Sequence, residues 1–122
     1  MRDLARRPDT VLLVHADAAS RGVVADLLRA ARFTVEGVSS ATEALATLAA
    51  DPAPCIILYG MTGPDDGSVD FRSAQLAEPE FAAVPLVMWT VPNPVARSPD
   101  KKFIEALLAL VGRHCAETQY AS

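Results

Sequence analysis

His15 and Asp17 come directly after the apolar run Thr10-Val-Leu-Leu-Val14, and Thr90 closes a second run, Pro85-Leu-Val-Met-Trp-Thr90. Asp65 and Asp66 lie among glycines and a proline in Gly60-Met-Thr-Gly-Pro-Asp-Asp-Gly67, just past a third run, Cys55-Ile-Ile-Leu-Tyr59. If the three runs are strands of one parallel sheet, these residues gather at its carboxyl end, where open α/β sheets hold ligands. An imidazole, carboxylates and a hydroxyl there suit two chemistries. One is a small molecule or ion held over His15, Asp17 and Thr90; the other is phosphoryl transfer to Asp65 or Asp66. Plainer roles compete, because Asp17 is placed to cap a helix and Asp65-Asp66-Gly67 reads as a turn. No serine, cysteine or histidine constellation has the spacing of a nucleophilic catalyst, so no enzymatic activity, cofactor or metal is expected. Cys55 and Cys115 match no zinc spacing and read as two reduced thiols.

The elements that must position these residues follow from periodicity. The runs at 10–14 and 55–59 are too short for helices and rich in β-formers, as expected of parallel strands buried on both faces. Between them, Asp17 opens a helix through Arg32 with Val23, Val24, Leu27, Leu28 and Ala31 at helical spacing. Phe33–Val38 alternates apolar and polar, the pattern of a half-exposed strand near a sheet edge. Ser40-Ala-Thr-Glu43 is a capping box that starts a helix to about Ala50, and Asp51-Pro-Ala-Pro54 ends it. A third helix is expected over Ser68–Ala77, where Val69, Phe71, Ala74 and Leu76 fit helical spacing loosely, with Pro79 as its terminator. The last begins near Pro99 or Asp100, carries Phe103, Ile104, Leu107, Leu108 and Val111, and ends at Gly112. Strands alternating with helices imply a parallel sheet covered on both faces, with right-handed crossovers.

The chain has 122 residues and 51% hydrophobic content, enough for one core without disulfides or a structural metal. The expected organisation is a single α/β domain over residues 10–114, with a polar tail at 1–9 and a second tail at 115–122. Eleven Lys plus Arg against fifteen Asp plus Glu give a net charge of −4, the wrong sign for a protein that neutralises phosphates, so no nucleic-acid partner is expected. No apolar stretch reaches the ~20 residues needed to cross a bilayer. The start of the chain lacks the apolar centre of a secretion signal, which points to the cytoplasm and to no membrane partner.

From about Thr10 to Val111, the order of elements resembles the receiver domain of two-component response regulators. Val11-Leu-Leu-Val14 with its helix cap, Phe33-Thr-Val35, and Ser40-Ala-Thr-Glu43-Ala-Leu45 look like that family's first two strands and second helix. Pro64, four residues after Gly60, and Val84-Pro-Leu-Val-Met-Trp-Thr90 fit as well. The resemblance implies a three-layer, flavodoxin-like or CheY-like fold. It also implies a phosphoacceptor aspartate at the end of strand three and a magnesium-binding acidic pair after strand one.

Here the phosphoacceptor position is Gly60, which has no side chain to attack a phosphoryl donor. The acidic pair falls on His15 and Ala16, with only Asp17 beside them, so a hard, oxygen-seeking cation loses its carboxylates. Thr90 matches the family's switch hydroxyl and Lys101 is the nearest match to its lysine, although the next residue is Lys102 where the family has proline. The stretch from Thr90 to Lys101 is too short for a crossover plus a strand. A shortened sheet of order 2-1-3-4 is therefore expected, with the fourth helix and fifth strand reduced or missing. That would leave Leu86–Thr90 as an edge, covered by Val95–Arg97 folding back, by a second copy in a homodimer, or by another protein. The expected function is phosphorylation-independent protein contact through Leu86, Met88, Trp89, Val95, Arg97, Lys102 and Phe103. The rivals are an active receiver using Asp65 or Asp66 and a small-molecule or ion sensor on the same fold.

Overall fold

The computed structural model describes residues 6–50, 53–61, 67–90 and 101–115. The elements run β1 (Arg6–His15), α1 (Ala18–Ala30), β2 (Thr34–Val38), α2 (Ala41–Ala50), β3 (Ala53–Met61), α3 (Ser68–Ala77), α4 (Pro79–Ala82), β4 (Leu86–Thr90) and α5 (Lys101–His114). All pairings are parallel and the sheet order is β2-β1-β3-β4, as expected for the shortened fold. Residues 91–100, including Val95 and Arg97, lie outside the described residues, as do Asp65 and Asp66.

Two apolar layers sandwich the sheet, because successive strand residues face opposite ways. Val11, Leu13, Ile56 and Leu58 meet Val24, Ala25 and Leu28 of α1 and Leu107 and Val111 of α5. Leu12, Val14, Ile57 and Tyr59 meet Ala44 and Leu48 of α2 and Phe71 of α3. The central strands are thus buried on both faces, which is why β1 and β3 read as continuous apolar runs.

Several boundaries differ from expectation, each for a local reason. β1 begins at Arg6, inside the stretch read as a polar tail, and its register against β3 shifts between Arg7 and Val11. Pro8, which has no N–H for the ladder, falls within that shift. α1 stops at Ala30 rather than Arg32 because its end closes in a Schellman motif. Phe33 N–H donates to the Leu28 carbonyl at 3.0 Å and Arg32 N–H to the Arg29 carbonyl at 2.9 Å, while Arg32 takes a left-handed φ of 76°. At α2, Ser40 Oγ accepts from Glu43 N–H at 3.1 Å, as a capping box requires. The Glu43 carboxylate returns to Ser39 instead, accepting from its N–H at 2.7 Å and its hydroxyl at 2.9 Å.

α3 corrects the expected apolar face. Val69 and Leu76 are exposed, while Phe71 and Gln75 are wholly buried. Gln75 tolerates this because every polar atom of its amide is used: Nε2 donates to the Phe81 and Val84 carbonyls, both at 3.0 Å, and Oε1 accepts from Arg72 at 2.9 Å. Pro79 starts the short α4 instead of simply ending α3, since its missing N–H is no loss in a first turn. α5 begins at Lys101 and runs past Gly112 to His114.

The reading of two reduced thiols is overturned. Cys55 at the start of β3 and Cys115 just after α5 form a disulfide, with their Cα atoms 5.3 Å apart. A parallel sheet with α5 antiparallel to it brings both residues to the amino end of the strands, so sequence separation was no guide to distance. Cys115 therefore belongs to the core and not to a tail.

Candidate functional site

At the carboxyl end of the sheet, Gly60 is flanked in register by His15 of β1 and by Trp89 of β4, and Met61 by Thr90. The topology thus brings His15, Gly60 and Thr90, which the resemblance matches to the family's acidic, phosphoacceptor and switch positions, onto three adjacent strands. Gly60 is buried and presents no side chain to this end of the sheet. Lys101 and Phe103 lie in the first turn of α5, where Lys102 is exposed. Leu86 and Met88, expected on a contact surface, are half-buried and pack against the α2–α3 face of the sheet. Among the described residues, β4 pairs with β3 alone.

His15 is 1% exposed. Its Nδ1 accepts from the Asp17 N–H at 3.1 Å, which requires the proton of the neutral ring to be on Nε2. Burial holds its pKa below the usual imidazole value; Asp17 opposes that shift and Arg21 adds to it. Asp17 is the N-cap of α1, its Oδ2 accepting from Ser20 N–H at 2.9 Å. Hydrogen bonds from the Ser20 side chain and backbone hold the Asp17 carboxyl below its ordinary range. Ala16, between them, is exposed and brings no ligand.

Arg21 is the residue that sequence reasoning missed. One guanidinium nitrogen donates to the His15 carbonyl at 2.7 Å, and its stem crosses β2 so closely that a Cβ on Gly37 would meet Arg21 Cδ at 3.4 Å. The available signal was an arginine one turn beyond the Asp17 cap, facing a glycine in the edge strand. Its positive charge also lowers the pKa values of Asp17 and of Glu43, whose largest shift comes from the Ser39 N–H.

The magnesium implied by the family resemblance does not fit this donor set. A buried neutral imidazole, an alanine and a carboxylate already committed to a helix cap surround an arginine rather than a divalent cation. Among the described residues, no group of three or more His, Cys, Asp or Glu side chains is placed to hold a metal ion. The expected ion site over His15, Asp17 and Thr90 therefore finds two of its groups occupied by backbone hydrogen bonds.

The buried imidazole makes an acid-side prediction. Because its pKa in the folded state lies below the unfolded value of about 6.5, its contribution is fully present above that pH. It is lost as pH falls through the lower folded value. The melting temperature should decline below about pH 6.5, and His15→Asn, whose Oδ1 can still accept from Asp17 N–H, should flatten that limb. Thermal melts from neutral pH to about pH 5 check this; parallel slopes in both proteins would contradict it.

The backbone arrangement has clear counterparts among solved structures. The chemotaxis response regulator CheY4 of Vibrio cholerae aligns with a TM-score of 0.69 at 19% identity, covering 86% of this chain and 99% of that one. A sensor protein from Polaromonas sp. JS666 aligns at 0.72 with 17% identity, covering 88% and 96%. This is the CheY-like receiver fold. A response regulator from Burkholderia multivorans aligns more loosely, at 0.58 and 16% identity over 92% of this chain and all of that one. No protein-family profile and no curated protein matches the chain. The receiver-like sheet is shared, and the chemistry at its carboxyl end must be judged from the residues present. No helix among the described residues is long and apolar enough to cross a membrane.

Proposed function

We propose that this chain is a receiver-like signalling module that works by protein contact, without aspartyl phosphorylation. The observation that carries this reading is Gly60 between His15 and Trp89 at the strand ends, where a phosphoacceptor would need a carboxylate. Arg21 adds to it by placing a fixed cation beside the strand-one position, in the role that a phosphate or metal-dependent switch would leave to exchangeable partners. The proposed setting is the cytoplasm, in two-component-type regulation. The proposed contact surface is the β4 edge with the start of α5, around Trp89, Lys102 and Phe103; Val95 and Arg97, expected to contribute to it, lie outside the described residues. Its partner is a protein, with a second copy of this chain as one form, because a parallel edge strand offers unpaired backbone groups for pairing.

Incubation with acetyl phosphate and magnesium, followed by intact mass, tests the reading. The wild type is expected to gain no phosphoryl group. Gly60→Asp is expected to gain none either, because a lone carboxylate beside His15 and Ala16 lacks the acids that would hold magnesium. A magnesium-dependent phosphoryl adduct on the wild type, mapped to Asp65 or Asp66, would overturn the proposal in favour of an active receiver.

A further inference from the structure

The last helix has an unusual attachment. Its buried contacts with the sheet come from one stripe, Leu107, Val111 and Cys115, spaced one turn apart, with Leu108 partly buried beside them. Lys102, Glu105, Ala106, Ala109, Gly112, Arg113 and His114 are all exposed. The stripe ends in the Cys55–Cys115 bond, which ties residues 60 apart in sequence and anchors the carboxyl end of α5 to the start of the central strand. Cys115 is buried in the same apolar layer, and its N–H donates to the Val111 carbonyl at 2.8 Å. On the sheet side, Cys55 Sγ lies 3.0 Å from the Thr10 carbonyl oxygen. A thiol at that place already has an acceptor within β1, so Cys55 has a satisfied environment in either redox state. Cys115 sits just after the last turn of α5, where the bond ties that helix end to β3.

We infer that the Cys55–Cys115 disulfide is a redox latch that sets whether α5 is docked on the sheet. Reduction by a cellular dithiol breaks the S–S bond. Two electrons and two protons pass to the sulfurs, giving two thiols, while the dithiol closes to its own disulfide. Cys55 then donates to Thr10 and stays with the strand, and Cys115 leaves with the last turn of α5. The sheet itself keeps its α1, α2 and α3 cover, so the effect is local to one helix. Both sulfurs are buried, at 6% and 7% residue exposure, so a reductant reaches them only through fraying of that same helix end. The latch is independent of whether the chain contacts a partner through β4.

The test uses the full chain in oxidised and dithiol-reduced forms. Alkylation in denaturant should label no cysteine before reduction and both after it. Amide exchange across Lys101–His114 should then accelerate about tenfold or more on reduction, while the central residues of β1 and β3 keep their protection. Cys115→Ser without reductant should reproduce the reduced pattern. Two free thiols in the air-oxidised protein would overturn the inference. So would unchanged α5 exchange after reduction, or a uniform loss of protection across the sheet, which would mark the bond as a staple of the whole fold.

Discussion

Replacing Gln75 by leucine is expected to destabilise the fold by about 1–3 kcal/mol, although the substitution makes a buried position more apolar. The amide Nε2 is the donor to two main-chain carbonyls, those of Phe81 and Val84, at the turn that delivers the chain from α4 into β4. Leucine supplies no donor: the Phe81 carbonyl keeps the Val84 N–H at 3.0 Å, but the buried Val84 carbonyl loses its amide partner, and such a loss costs about 1–3 kcal/mol. Gln75→Glu should be worse at neutral pH, since a carboxylate places an acceptor against two acceptors. Urea denaturation of the three proteins measures both effects through the midpoint at constant slope. A Gln75→Leu variant as stable as the wild type would show that the amide is dispensable.

The second large effect is expected at Phe71. Its side chain is fully buried, and its ring lies 5.3 Å from that of Tyr59, also buried, in the layer between the sheet and α2–α3. Phe71→Ala removes a whole aromatic side chain and leaves a cavity the neighbours only partly fill, costing about 3–5 kcal/mol. That is a large share of the roughly 5–15 kcal/mol that holds a domain of this kind together. A fall in melting temperature of roughly 12–20 °C follows. Phe71→Leu keeps much of the volume and should lose far less. Calorimetry of both variants checks the ratio; equal losses would mean that cavity volume is not what the site pays for.

Positions 71 and 75 also show where the sequence was hard to read. The strands β1 and β3 were legible because burial on both faces leaves an unbroken apolar run; the sheet order followed from the receiver-domain resemblance and the short stretch between Thr90 and Lys101. Asp17 as a cap was legible because its effect is local. α3 was not, since its buried face mixes a phenylalanine with a glutamine while Val69 and Leu76 point outward. Hydropathy cannot rank Gln75 as core when its reason for burial is a pair of carbonyls that arrive later in the chain. Cys55 and Cys115 fall at the same end of the sheet by topology alone, but their bond depends on how closely α5 docks.

Of the candidate site, that receiver domains carry acids at the positions of Gly60, His15 and Ala16 is what the resemblance implies, and the residue types there could be read directly. The part played by Arg21 could not. It depends on the close approach of a long side chain to Gly37 and on the His15 carbonyl that accepts from it, neither of which leaves a periodic trace.

The placement of β1 between β2 and β3 has a consequence for the order in which the chain can fold. Both of its hydrogen-bonding partners come later in the chain, so a ribosome-bound segment ending before Met61 holds a strand satisfied along one side only. Once β3 is made, one flank of the young sheet still lacks its lid, because Leu107 and Val111 come last. Ile56 and Leu58 lack that part of their cover, and stay partly open to water or to a chaperone, until α5 has been made.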